Sequence, residues 1–142
     1  DESNVQVEFE KLPLERWNEL QEFGTLRVEP IIFQQGTSRL SFEGKEVLNQ
    51  TVENLKYYPN FRLKVAGHTS DRGDPDMNKQ LSQERADAVL RYLNVTHGVA
   101  KNRCLAIGYG GEKTLTRLPG ENMRSWRYRL PRVELILVQE DL

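Results

Sequence analysis

The chain has 142 residues, enough for one domain and too few for a large barrel enzyme or most two-domain catalysts. Its 37% hydrophobic and 29% charged residues suit a folded domain with one modest core, not a disordered tail. Twenty Lys and Arg against twenty-one Asp and Glu leave a net charge of -1, so no bulk positive field exists to hold a nucleic acid. The lone cysteine, Cys104, excludes an internal disulfide and a cysteine-based metal cluster. No apolar run approaches the ~18–20 residues that span a bilayer, and the acidic start Asp1-Glu2-Ser3 does not read as a signal peptide. The domain itself is therefore expected outside the membrane, as a part cut from a longer precursor.

Charge is unevenly placed. Residues 1–30 carry eight acids against Lys11, Arg16 and Arg27, whereas residues 110–132 carry six bases against Glu112 and Glu121. The plain expectation is that these two segments face each other.

In chain order, Val5-Gln6-Val7-Glu8-Phe9 alternates with period two, as a half-buried strand does, until Pro13 breaks it. Residues 14–23 read as a short helix on Leu14, Trp17 and Leu20, stopped by Gly24. Residues 26–33 are β-like, but Pro30 confines them to an edge or bulge. A polar turn covers residues 34–39. Residues 42–58 form an amphipathic helix with Val47, Leu48, Val52 and Leu55 on one stripe, ended by Pro59. Phe61, Leu63 and Val65 then alternate with Arg62, Lys64 and Ala66 as a strand, which runs into the polar loop 67–73. Asp74 as N-cap, Pro75 at the first helical position and Asp76 at the positive end of the dipole announce a helix from Pro75 to His97, closed by Gly98. Residues 103–109 are a short strand braked by Gly110-Gly111, the stretch from Gly110 to Pro131 is an arginine-rich loop, and residues 133–138 close the sheet. The order predicts an α+β fold, β-α-β-α-β-β with a mixed sheet and helices on one face. A strand-helix extension at residues 1–24 precedes the domain proper at residues 25–142.

The informative constellation lies at the loop 67–73 and the helix after it. Asn78, Ser82 and Arg85 are spaced i, i+4, i+7, with Leu81 one turn before Arg85, so they share a stripe beginning near the helix start. Ala86, Val89, Leu90 and Leu93 are left to pack on the sheet. An arginine so placed offers a planar fork to a carboxylate, beside loop N–H groups that favour an anion. The plainer alternative is a surface bridge between Arg85 and an acid such as Asp71.

At this point the sequence resembles the OmpA-like C-terminal domain family. Gly67-His68-Thr69-Ser70-Asp71-Arg72-Gly73 is similar to its G-H-T-D-x-x-G motif. Asn78 to Ala86 resembles N-x-x-L-S-x-x-R-A, Gly108 to Glu112 resembles G-x-G-E, and Arg132-Val133-Glu134 resembles the end of N-R-R-V-E. Residues 33–40 resemble the opening F-x-x-G-x-x-x-L. The resemblance implies a periplasmic module that binds peptidoglycan non-covalently and anchors an outer-membrane, lipoprotein or stator-like envelope protein of a Gram-negative bacterium to the cell wall. It implies that the motif aspartate takes the ammonium, and the motif arginine the carboxylate, of the stem peptide's diaminopimelate. By position the arginine is Arg85, supported by Asn78, with Thr69, Ser70, Asp71, Leu81 and Arg132 completing the implied ligand-binding set.

Two departures stand out. The aspartate position is Ser70, a hydroxyl without charge, and Leu130 and Pro131 occupy the asparagine and first arginine of N-R-R-V-E. Asp71 replaces the missing acid only if the loop twists, because neighbouring side chains of an extended chain point to opposite faces. The loop from Gly110 to Leu130 offers Arg117, Arg124, Arg127 and Arg129 to wall carboxylates or to another envelope protein. The alternative is thus an OmpA-like fold with a degenerate pocket, serving as a protein-interaction or positioning module.

Other signals weigh less. His97 lies a whole helix away from His68 and Asp71, which argues against a shared metal. No nucleophile elbow, Walker loop, HExxH or Cys/His pair is present, so no catalytic residue and no cofactor is expected. Asp71 and Glu112 are a weak glycosidase pair, since loop carboxylates are usually solvated. Trp17 reads as a packing residue, Trp126 as a packing residue or a sugar platform, and Cys104 as a small buried hydrophobe.

Overall fold

The computed structural model describes residues 8–25, 33 and 37–139. Most of the stretch 5–9 and nearly all of 26–33, both read as β-like, lie outside the described residues.

The elements are α1 (Leu14–Glu19), β1 (Gln21–Thr25), α2 (Phe42–Leu55), β2 (Arg62–His68), α3 (Pro75–His97), β3 (Cys104–Gly108), α4 (Met123–Arg129) and β4 (Arg132–Gln139). The sheet order is β1-β4-β2-β3, with β2 parallel to β3 and antiparallel to β4, and β1 antiparallel to β4. The expected α+β mixed sheet is therefore present.

The pleat divides the sheet into two apolar faces. Leu63 and Val65 of β2 and Val133, Leu135 and Leu137 of β4 meet Leu48, Val52 and Leu55 of α2 and Ala86, Val89 and Leu93 of α3. Ile136 and Val138 alternate to the other face, where Val138 joins Trp17 and Leu20, flanked by Leu12, Leu105 and Ile136. Arg62 also alternates away from the helices. Its guanidinium is clasped between Phe9 and Trp17, 5.3 and 5.6 Å from their ring centres, and its Nη1 donates to the carbonyl of Glu10 at 2.9 Å. Cation–π contact thus ties residues 9–17 onto the sheet.

The segment 14–23 corrects the expected helix. The helix ends at Glu19, Leu20 turns extended, and residues 21–25 pair with the edge of β4. A six-residue helix has little intrinsic stability, and a ladder on an open strand edge satisfies more backbone groups than one further turn. Gly24, expected as a helix stop, follows a bulge at Phe23 in this strand.

The two long helices follow their end signals. Ser41 Oγ accepts from Gly44 N at 3.0 Å at the start of α2. Asp74 Oδ1 accepts from Asp76 N and Met77 N at 2.9 and 3.1 Å at the start of α3, and Gly98 closes α3 in the left-handed region (φ 71°). The arginine-rich loop is also corrected: residues 123–129 are helical, with Asn122 Oδ1 accepting from Ser125 N at 2.8 Å. Cys104 is buried, and burial pushes its thiol up to about 12 against the smaller opposing effect of Arg103. Among the described residues no helix is long and apolar enough to cross a membrane.

Candidate functional site

The site begins where β2 and β3 end together. Their ladder continues one step into the loops, with Tyr109 N donating to Gly67 O at 2.9 Å and Thr69 N to Gly110 O at 2.8 Å. Helix α3 lies directly against these strand ends because two glycines carry no side chain there. A Cβ on Gly67 would stand 2.2 Å from the carbonyl oxygen of Ser82 and one on Gly108 2.4 Å from the backbone nitrogen of Gln83, while one on Gly111 would stand 2.3 Å from the carbonyl oxygen of Ser70 in the facing loop. The close approach lets the fully buried Ser82 hydroxyl accept from Gly110 N at 2.9 Å and donate to Lys79 O at 2.9 Å.

The loop 69–73 is closed by its own polar groups. Thr69 is buried, and its hydroxyl donates to Ser70 O at 3.1 Å. Ser70 Oγ accepts from Arg72 N at 3.1 Å. Asn78 Nδ2 reaches back from α3 to Arg72 O at 2.8 Å and to Ser70 O at 3.5 Å, the latter at the limit of a hydrogen bond. Gly73 makes the turn into α3 at φ 96°. The structure thus brings Thr69, Ser70 and Asn78 into one hydrogen-bonded unit.

Two turns further along α3, Arg85 holds a different set of partners. Its Nε donates to Thr37 O at 3.0 Å, and its guanidinium carbon stands 5.0 Å over the ring of Phe33. No carboxylate among the described residues pairs with it. Half-buried, it has its pKa drawn down by desolvation, yet an arginine keeps its charge at any physiological pH. Leu81, one turn before it, is half-buried on the same stripe.

Asp71 does not bridge to Arg85. Its Oδ1 lies 3.8 Å from Nε of Arg127 on α4, and that Nε is buried without a hydrogen-bond partner. Arg132 is engaged on the sheet face opposite α2 and α3. Nη1 donates to Leu130 O at 2.7 Å, Nη2 to Lys113 O at 3.1 Å, and Nη2 stands 3.5 Å from Glu134 Oε1. Beside it His68 Nε2 is 2.8 Å from Glu134 Oε1, off the line of the ring N–H, and the imidazole stacks on Tyr109. The His68 contact and Arg132 hold the Glu134 carboxyl below its usual range, against desolvation. His97 is held elsewhere, with Nε2 2.7 Å from Asn49 Oδ1.

The arginine-rich segment is braced internally. Arg129 forks onto Glu121 at 2.7 and 2.6 Å, which draws that carboxyl down to about 2, and Arg117 Nη2 donates to Glu121 O at 2.6 Å. Trp126 Nε1 donates to Leu115 O at 2.6 Å, so this tryptophan pins the segment. Among the described residues, none of these arginines pairs with an acid of residues 8–25, and the expected facing of acidic and basic ends is not seen. The sequence did not point to the Thr37 carbonyl or to the Asp71–Arg127 pair, because both join segments far apart in the chain.

The family model for the OmpA family matches residues 32–125. The chain belongs to the OmpA family. Among curated relatives of this OmpA-family chain, the peptidoglycan-associated lipoprotein of Rhizobium meliloti is 34% identical over 83 residues, covering 58% of this chain and 47% of its own length. The photosystem I P700 chlorophyll a apoprotein A2 of Gloeobacter violaceus is 29% identical over 115 residues, 79% of this chain and 13% of the apoprotein. These relatives extend well beyond the matched part. Among solved structures, the peptidoglycan-associated lipoprotein of Burkholderia pseudomallei superposes with a TM-score of 0.61 at 27% identity, over 78% of this chain and 91% of that one. The type VI secretion system cell wall anchor of Pseudomonas aeruginosa gives 0.61 at 21% identity, over 89% and 92%, a likeness of fold.

Proposed function

We propose that this OmpA-family domain is a non-enzymatic, periplasmic anchor that binds peptidoglycan non-covalently and tethers an envelope protein to the cell wall. The cleft between the loop 69–73 and the Arg85 stripe of α3 takes the stem peptide, at its diaminopimelate residue. The observation that carries this reading is Arg85 itself, half-buried and oriented through Nε by Thr37 and through its face by Phe33, with no described carboxylate in reach. A fork held in place with its charge uncompensated is suited to a ligand carboxylate, a contact of about 1.5–3 kcal/mol when desolvated. Thr69, Ser70 and Asn78 supply the polar wall, Leu81 an apolar neighbour and Asp71 the margin, while Arg132 is spent on Leu130, Lys113 and Glu134 on the other face of the sheet. The names of the two peptidoglycan-associated lipoproteins support peptidoglycan as the ligand.

Co-sedimentation with purified sacculi tests the reading. The domain is expected to pellet, Arg85→Ala to lose at least tenfold in affinity, and free diaminopimelate to compete. Equal pelleting of Arg85→Ala would remove Arg85 from the mechanism. An enzyme would release soluble muropeptides from the sacculi, and none are expected. A second reading, a protein-interaction module acting through the stretch 110–130, is favoured by Tyr128 and Leu118, which leave 87% and 57% of their surface exposed. Crosslinking from Tyr128 to an envelope protein, without sacculus binding, would support it.

A further inference from the structure

Within the peptidoglycan reading, on which this inference rests, the proposed site has a cation and, among the described residues, no acid to balance it. Ser70 is neutral. Asp71 stands by Arg127 of α4, Asp74 caps α3 with two backbone N–H groups, and Glu84 accepts from Gln80 Nε2 at 3.3 Å. Glu112 is exposed, beyond Gly111 and next in sequence to Lys113.

Three of the loop's neutral acceptors are already engaged. Ser70 O takes the Thr69 hydroxyl and Asn78 Nδ2, and Arg72 O takes Asn78 Nδ2. Ser70 Oγ already accepts from Arg72 N, so toward a ligand it is a better donor than acceptor. An ammonium has three N–H donors, no acceptor capacity, and a high cost of desolvation when unpaired. A secondary amide carries no charge, and its carbonyl accepts from a hydroxyl.

We propose that this cleft takes a free carboxylate beside an acylated, uncharged nitrogen, and so reads the stem-peptide residue in its cross-linked form rather than as a zwitterion with a free amine. Arg85 binds the carboxylate and the Ser70 hydroxyl donates to the amide carbonyl. Arg127 is a positioning residue that keeps Asp71 turned to α4.

The test compares two synthetic tripeptides, L-alanyl-γ-D-glutamyl-meso-diaminopimelic acid with its side-chain amine free and the same peptide acetylated there, titrated into the intact chain by calorimetry. The acetylated peptide is expected to bind at least as tightly as the free one, within about threefold. Ser70→Asp, which supplies an ionised acceptor, is expected to favour the free amine by about tenfold or more, the worth of one charge-assisted hydrogen bond. A tenfold preference of the unaltered chain for the free amine would overturn the inference and leave the peptidoglycan reading intact. Retention on sacculi with no binding of either peptide would also overturn it alone. Failure to bind either peptide or sacculi would remove both.

Discussion

The carboxylate of Asp71 lies 3.8 Å from Nε of Arg127, a residue 56 positions later, and not beside Arg85 on the neighbouring helix. This pairing assigns the loop's aspartate to α4 and leaves Arg85 without a carboxylate partner among the described residues. It also predicts that Arg127→Gln frees Asp71 while leaving the core untouched. The expected outcome is a shift of two- to tenfold in peptide preference toward a free amine, with thermal stability changed by less than about 1 kcal/mol, as for other half-exposed ion pairs. Paired titrations and thermal melts check it.

Ser82 predicts a stability effect of a different kind. Its hydroxyl is the partner of the Gly110 N–H inside a fully buried contact. Ser82→Ala leaves that donor unsatisfied, at a cost of about 1–3 kcal/mol. Urea denaturation should show a lower midpoint with an unchanged slope.

Gly111→Ala forces a methyl group onto the Ser70 carbonyl, where the built Cβ stands at 2.3 Å. Backbone on both sides must move, an overpacking cost of about 1–3 kcal/mol. Because the displaced atom belongs to the loop proposed to bind, sacculus affinity should fall further than stability alone explains. Amide exchange at residues 69–73, faster in the variant than in the unaltered chain, measures this.

Acid should open the segment 113–130 before it unfolds the core. The Glu121 carboxyl is held at about 2 in the folded chain against an ordinary 4.5, chiefly by the Arg129 fork and then by Leu118 N. A lowered folded-state value adds stability that is fully present above the ordinary value and is lost as pH falls from about 4.5 toward 2. Fluorescence of Trp126, read in a Trp17→Phe background, should change over that interval, and Glu121→Gln should abolish the pH dependence.

Much of this arrangement is legible in the chain. The caps Ser41, Asp74 and Gly98 act locally, so α2 and α3 follow from their own residues, and the i, i+4, i+7 stripe of Asn78, Ser82 and Arg85 needs only helical geometry. The segment 14–25 misleads because its strand exists only against the edge of β4, more than a hundred residues later. The helix 123–129 is hidden among arginines whose helical character depends on Asn122, Glu121 and the Trp126–Leu115 bond acting together. The site divides in the same way. The loop and helix motifs place Thr69, Ser70 and Asn78, whereas the partners of Asp71, Arg85 and Arg132 come from other segments and follow from tertiary packing alone.

Whether Arg85 holds a wall carboxylate, as proposed, is decided by co-sedimentation with sacculi of Arg85→Ala and Arg85→Lys beside the unaltered chain. At least a tenfold loss is expected for Arg85→Ala and a partial loss for Arg85→Lys, which keeps the charge but not the fork, with both variants folded by circular dichroism. Full pelleting of a folded Arg85→Ala variant would contradict it.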